Sequence, residues 1–253
     1  MVDVFEQVEE EMRSERWKRL ARQWGPVVGG ILALALIAAL AFWGYQSWET
    51  GRAEKAAVAY DRGLEAMQRN DLAGAEAAFA EAEKVGNAAY KALALNQRAG
   101  VAVSQNRIAE AIELLNQAAR ANGDPLLADQ AALKATWLLM DSGGTLEQIE
   151  DRLEPLVGDD RPMRVVAMET QAMARLQHGK PAEARQVFVL LQLGQDVPDS
   201  VRQRAQVGIA AIDNGTAAAL PNIVRAQAAV PVPTLPASGA AAGPQPAPVP
   251  VQP

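Results

Sequence analysis

Few side chains in this 253-residue chain have the types and spacing that catalysis or metal binding requires. There is no cysteine, which excludes disulfides, thiolate nucleophiles and cysteine-held metals together. His178 is the one histidine, and a metal site would need further ligands at fixed spacing from it, which the sequence does not supply. We therefore interpret His178, which precedes Gly179, as a residue at a helix end, where a cation suits the helix C-terminus.

The other candidates for a reactive site are runs of carboxylates and pairs of glycines. The runs Glu9–Glu11 and Asp159–Asp160 are typical of solvated helix and loop surfaces. The pairs Gly29–Gly30 and Gly143–Gly144 do not follow a strand, as a phosphate-binding loop would require. Gly29–Gly30 fits the small residues of a membrane helix instead. The sequence thus predicts that the protein is not an enzyme and has no cofactor, no metal and no small-molecule substrate.

Composition favours an all-α protein that does not bind nucleic acid. Aromatic residues make up 5% of the chain and alanine is abundant, so a core must consist of closely packed small residues. Such a core suits helices better than a β-sandwich or barrel. The chain has 24 basic and 30 acidic side chains, a net charge of −6. Because proteins that bind nucleic acid need a basic face to displace counterions, we expect no such partner.

The first 45 residues predict a charged helix followed by a membrane span. Residues 1–24 place apolar side chains at helical spacing, with acidic residues first and basic residues after them, which suits the helix dipole. Residues 25–45 are 21 consecutive uncharged residues. At about 1.5 Å per residue they extend roughly 30 Å, the thickness of a bilayer's hydrocarbon core. Aromatic residues at both ends are expected to anchor the span in the headgroup layer: Trp24, Trp43, Tyr45 and Trp48.

Basic residues near the two ends of the span predict its orientation. Four lie in the ten residues before Gly25 and two in the ten after Tyr45. Because loops rich in basic residues stay in the cytoplasm, we expect a cytoplasmic N-terminus, with the rest of the chain across the membrane. The alternative is a cleavable signal peptide cut at Ala39–Ala41. That site lies inside an apolar run longer than the usual h-region of roughly 7–15 residues, which favours an uncleaved signal anchor.

Residues 46–215 contain four copies of one pattern: a turn residue, a small residue five places later and a large apolar residue nine places later. The turn residue ends one helix, the small residue lets two helices approach closely, and the large residue fills the groove between neighbouring pairs. The turns are expected at Asn70, Asn106, Gly144 and Gly179. The large residues Phe79, Leu115, Leu153 and Phe188 are 36, 38 and 35 residues apart. Helix pairs at this period stack into a solenoid.

These repeats resemble the tetratricopeptide repeat, nominally 34 residues long. Counted from Ala56, the first copy places Gly63, Ala75 and Phe79 on the family's glycine, alanine and aromatic positions. The third copy departs from the pattern, because Trp137, Ile149 and Leu156 replace small residues. A helix at roughly 198–214 is expected to cap the solenoid.

Residues 216–253 differ in composition from the repeats. Eight of the chain's 15 prolines fall in the last 23 residues. Because proline fixes φ and removes a backbone donor, this Pro/Ala-rich segment is expected to be a disordered tail rich in polyproline II conformation.

From about Ala41 to Asn214 the chain also resembles the YfgM-type family, the ancillary subunit of the SecYEG translocon, whose repeat domain is shared with cell-division coordinator proteins. The matching stretches are Phe42–Tyr45, Ala56–Tyr60 and Asn87–Ala94. The resemblance implies a single-pass inner-membrane protein of a Gram-negative bacterium. Its periplasmic repeat domain would bind the translocon and hand exported chains to periplasmic chaperones. Two alternatives stay open: an envelope scaffold for cell division or wall synthesis, and an accessory subunit of another inner-membrane complex.

In repeats of this kind the first helix of each pair lines a concave groove. The positions assigned to that groove by the repeat alignment are apolar, with a few polar groups and flexible methionines, which suits an extended or unfolded peptide. They are Tyr60, Leu64, Met67, Asn96, Val103, Lys134, Leu138, Glu169 and Met173.

Overall fold

The computed structural model describes residues 4–121 and 123–228. The helices in these residues are α1 (Val4–Gln68), α2 (Leu72–Val85), α3 (Ala88–Ser104), α4 (Ile108–Ala121), α5 (Pro125–Asp141), α6 (Leu146–Leu153), α7 (Arg164–Gln177), α8 (Pro181–Leu193), α9 (Asp199–Asp213) and α10 (Leu220–Ala228). Short 3₁₀ helices lie at Glu154–Leu156 and Thr216–Ala219. No strand occurs in the described ranges, and the predicted all-α, repeat-containing class is confirmed.

Helix α1 runs without a break from the charged N-terminal segment into the first repeat. The segment boundaries expected near residues 24 and 45 both lie inside its 65 residues. The alanine- and leucine-rich run favours helix, and Pro26 lies inside α1 without ending it. From Pro26 onward α1 is long and apolar enough to cross a membrane, with a mean hydropathy of 2.3 in its most apolar stretch. The structure does not describe the side chains of residues 1–23, so the amphipathic face predicted there stays a prediction.

The predicted anchor residues lie on this part of α1. Trp24, Trp43, Tyr45 and Trp48 are each more than half exposed. Their side chains are therefore accessible on the surface of α1. Their role as membrane anchors stays a prediction.

The repeat turns share one backbone geometry. Asn70, Asn106, Gly143 and Gly179 have φ between 57° and 84° and follow one another at 36, 37 and 36 residues. After each of them, the next residue's N–H donates to the carbonyl five residues earlier, at 2.8 to 2.9 Å. This is the Schellman arrangement that ends a helix. The left-handed residue of the third turn is Gly143, one place before the predicted Gly144.

A fifth left-handed residue, Gly215, follows Gly179 after another 36 residues. Helix α9 therefore stands where the first helix of a fifth pair would stand, and the 3₁₀ helix and α10 come after it. The helical part of the chain thus continues to Ala228, beyond the boundary predicted at residue 215. Ala217 and Leu220 pack against the core, which gives this extension its stability. The prediction for residues 229–253 lies outside the described residues.

The chain divides into two compact units, Met1–Ala131 and Ala132–Pro253. The first contains α1 to α4, and its core surrounds the fully buried Phe79. The second contains most of α5 and all of α6 to α10. One core cluster of the second unit lies between α5, α6 and α7 and includes Leu133 and Ile149. The other surrounds Phe188, between α7, α8 and α9.

Candidate functional site: an apolar groove in the second unit

The second unit contains an open groove of about 590 Å³, to which α5, α7, α8, α9 and α10 contribute. Most of the lining is apolar: Trp137, Met140, Val166, Met173, Leu176, Phe188, Val207, Ala211 and Leu220. Trp137 is 39% exposed, Met173 38% and Val207 70%. Large apolar side chains left in water on one concave surface are typical of a binding site.

A short chain of hydrogen bonds holds the Trp137 indole in place. Its Nε1–H donates to Thr170 Oγ1 at 3.0 Å, and that hydroxyl donates to the Val166 carbonyl at 2.8 Å. The threonine hydroxyl thus accepts one bond and donates another, which satisfies the buried group. The indole keeps one orientation, and its exposed ring surface is preformed for contact with a ligand.

The charged residues in the lining are Glu169 and Arg204, and they bind each other. Arg204 Nε donates to Glu169 Oε1 at 2.5 Å, and Nη2 donates to Oε2 at 2.7 Å, a bidentate pair between α7 and α9. The hydrogen bond with Glu169 raises the pKa of Arg204 above its ordinary value. Because the two charges cancel, the groove presents an apolar surface without net charge.

Comparison with known protein families identifies the family of this chain. The sequence profile of the tetratricopeptide repeat-like domain matches residues 18–189, more than half of the chain. The chain belongs to this family. No curated protein and no solved structure matches it. Domains of this family generally mediate contacts between proteins, so the chain carries a domain of the protein-interaction type. The described residues also include one candidate membrane helix.

The tetratricopeptide repeat-like domain takes in both the candidate span and most of the repeats. The matched range starts inside α1, before the apolar run, and ends inside α8. Helices α9 and α10, which contribute Arg204, Val207 and Leu220 to the groove, lie after the matched range.

Two of the nine predicted groove residues, Glu169 and Met173, line this groove. Lys134 and Leu138, on α5, are half-buried and are not among the lining residues.

Three other predicted residues pack in the first unit. The Tyr60 ring lies 5.4 Å from that of Phe79 and 6.1 Å from that of Tyr90, measured between ring centroids. Its hydroxyl accepts a hydrogen bond of 2.7 Å from Gln97 Nε2. Leu64 and Met67 pack against the same core. These half-buried side chains stabilise the first helix pair, and a role for them in binding a partner stays a prediction.

The last two predicted residues lie on α3. The Asn96 side chain donates to the Ala92 carbonyl at 2.9 Å, while Val103 is 39% exposed. Their contact with a partner likewise stays a prediction.

The repeat pattern did not assign the other eleven lining residues to a groove, and they include Trp137, Thr170, Arg204 and Val207. For Trp137 a signal was present, because a large aromatic side chain stands where the repeat has a small one. Arg204 and Val207 lie on α9, in the segment expected to be a cap. Their spacing in the sequence does not predict that they lie beside α7.

His178 joins two turns of the second unit. Its Nδ1 lies 2.8 Å from the Ala174 carbonyl oxygen and its Nε2 lies 3.1 Å from that of Gly144. The ring therefore connects the end of α7 to the turn before α6. Over the part of the chain that the structure describes, no cluster of three or more His, Cys, Asp or Glu residues could hold a metal ion.

Proposed function

We propose that this chain is a membrane-anchored protein-binding module whose groove in the second unit receives an uncharged, apolar segment of a partner protein. The observation that supports it most directly is the exposure of Trp137, Met173 and Val207 around one groove. Burial of such side chains contributes roughly 25 cal/mol per Å² of apolar surface removed from water. The Glu169–Arg204 pair satisfies its own charges, so an uncharged ligand leaves no ion unpaired.

The contacts around Arg52 support a domain held close to the membrane. Its guanidinium carbon lies 4.9 Å from the centroid of the Trp48 ring, a cation–π contact. Its Nε donates to the Val85 carbonyl at 3.3 Å, and its Nη2 donates to the Gly86 carbonyl. These bonds join the end of α2 to α1 only seven residues after Tyr45, the last residue of the predicted span. If residues 25–45 span the membrane, as proposed, the first helix pair lies next to the membrane exit.

In its finer form the proposal assigns the module to the SecYEG translocon in a bacterial inner membrane. The N-terminus would be cytoplasmic and the repeats periplasmic, and the groove would take up exported chains and pass them to periplasmic chaperones. The resemblance to the YfgM-type family supports this. An emerging chain is unfolded and exposes apolar segments that folding later buries. Tethering to the membrane raises the effective concentration of the groove where such chains emerge.

Photocrosslinking in cells from residue 207 of the full-length chain tests the proposal. Val207 lines the groove and is well exposed, whereas Gln206, its exposed neighbour on α9, does not line it and is the matched control. We expect translocon subunits and exported chains among the adducts from position 207, with much lower yields from position 206. Equal adducts from both positions would contradict a binding groove. Division or wall-synthesis proteins at position 207 would support the scaffold alternative instead.

A further inference from the structure

The last helix that the structure describes, α10, begins at a residue of the groove. Leu220, the first residue of α10, lines the groove and packs against the core around Phe188. Helix α10 continues for nine residues to Ala228, which at 1.5 Å per residue is about 13 Å. The remaining 25 residues, 229–253, therefore start within about 13 Å of a residue that lines the groove.

The composition of residues 229–253 fits the lining of the groove. The segment has no charged side chain and eight prolines, interspersed with valine, leucine and alanine. Proline-rich segments populate polyproline II, and they bind to grooves lined by aromatic side chains because little conformational entropy is lost. Here the groove offers the held indole of Trp137, apolar side chains around it and no net charge.

We infer that residues 230–236, Val-Pro-Val-Pro-Thr-Leu-Pro, occupy the groove of their own molecule and compete there with protein partners. The competition rests on the function proposed above, whereas the occupation of the groove does not. At about 3.1 Å per residue, seven residues in polyproline II extend about 22 Å, which exceeds the roughly 13 Å of α10. A segment that runs back beside α10 thus reaches the level of Leu220. It contains Leu235, the bulkiest apolar side chain of residues 229–253.

A short connection makes such an internal ligand effective. Only Ala229 separates the segment from the end of α10. Short connections give effective concentrations in the millimolar range, so even a weakly binding segment fills its site in a large share of molecules. A partner must then displace it, which would restrict binding to partners that are abundant or bind tightly.

The absence of cysteine allows a direct test by disulfide trapping in the full-length, membrane-reconstituted chain. The test variant combines Val207→Cys with Leu235→Cys. One control moves the groove cysteine, combining Gln206→Cys with Leu235→Cys. The other moves the tail cysteine, combining Val207→Cys with Val251→Cys. We expect the intramolecular disulfide of the test variant to form about tenfold faster than that of either control under mild oxidation. Equal rates in the three variants, or faster trapping at position 251, would overturn the assignment of residues 230–236.

Competition is measured with two deletions, scored by partner photocrosslinking from residue 207. Deletion of residues 229–236 is expected to raise the yield severalfold, and deletion of residues 237–253 to leave it unchanged. If residues 230–236 are trapped in the groove but neither deletion changes the yield, competition is refuted. Partner adducts without trapping refute the internal ligand and leave the proposed function standing. Trapping without partner adducts in any variant refutes the proposed function and leaves occupation by residues 230–236 standing.

Discussion

Gly63 lies directly against the ring of Phe79: a Cβ placed on this glycine would be 2.4 Å from the ring atom Cε1. Phe79 is fully buried, so its ring has no space into which it could move. The close approach of α1 and α2 thus depends on a missing side chain in one helix and a large one in the other. The second unit repeats the arrangement, since a Cβ on Gly208 of α9 would lie 2.8 Å from the Phe188 ring.

The substitution Gly63→Ala should therefore destabilise the first unit. Alanine in place of glycine favours a helix by about 1 kcal/mol, but overpacking a filled core costs about 1–3 kcal/mol. Because the clash involves three atoms of a fixed ring, we expect overpacking to dominate and the melting temperature of the full-length chain in detergent to fall. The control is Gly100→Ala in α3, where a Cβ meets nothing within 4 Å and where a rise is expected. A rise for both variants would contradict the packing argument.

The left-handed turn at Asn106 gives a second prediction. Its φ is 57°, its side chain is exposed, and the N–H of Arg107 donates to the Ala102 carbonyl at 2.8 Å. Glycine adopts this conformation without strain, whereas a β-branched residue is strongly disfavoured there. Asn106→Gly should leave the melting temperature unchanged or raise it, and Asn106→Val should lower it through a loss of about 1–2 kcal/mol. Identical melting temperatures for the two variants would exclude a left-handed turn at this position.

Partner binding in the groove should be sensitive to a buried charge. Val207→Asp places a carboxylate on the apolar lining, where a bound partner would remove it from water at a cost of several kcal/mol. We expect at least about a tenfold loss of affinity for an uncharged apolar peptide, measured by fluorescence anisotropy. Gln206→Asp adds the same charge to the same helix outside the groove and should leave the affinity nearly unchanged. Equal losses for both would indicate a general charge effect.

The ion pair between Arg185 and Asp213 predicts an acid-sensitive contact between α8 and α9. Arg185 Nε and Nη2 donate to the Asp213 carboxylate at 2.8 and 3.1 Å, and the bond from Arg185 lowers the pKa of Asp213 below its ordinary 3.8. In the folded chain Asp213 therefore stays charged at pH values where the unfolded chain binds a proton. Its stabilising effect is complete above the unfolded pKa and is lost as the pH falls through the folded pKa.

The measurement for this pair is the difference in melting temperature between Asp213→Asn and the unchanged chain. It should be largest near pH 6 and shrink below pH 3.8. In an Arg185→Gln background the same substitution should show little of this pH dependence. A pH dependence that persists without Arg185 would show that another group causes it.

The repeat turns could be predicted because they depend on local chemistry. Asn70, Asn106 and Gly179 each adopt the left-handed conformation that their residue types favour, and they recur at the period read from the sequence. The third turn was placed one residue late because Gly143 and Gly144 are adjacent and local preference does not separate them. In the structure a Cβ on Gly144 would lie 2.5 Å from the Leu139 side chain. Close packing therefore accounts for the second glycine, while the positive φ accounts for the first.

The groove could be predicted only in part. Glu169 and Met173 follow from their positions on the first helix of a pair, because a helix of known register presents known faces. Arg204 and Val207 lie on a helix after the last predicted pair, so the pattern of pairs did not assign them to a groove. Which face of a helix is covered depends on how its neighbours pack against it, and a single-helix pattern does not contain this information.

The sequence by itself determined the all-α class, the repeat period and the apolar run that could cross a membrane. All of these depend on local preference, charge or spacing along one chain. Only the tertiary structure decided that α1 continues unbroken, that the helical chain extends to Ala228, and that Trp137, Arg204 and Leu220 meet around one groove. The reason for the groove is physical: its side chains Trp137, Arg204 and Leu220 lie 16 to 83 residues apart along the chain, and only packing of the folded chain brings them together.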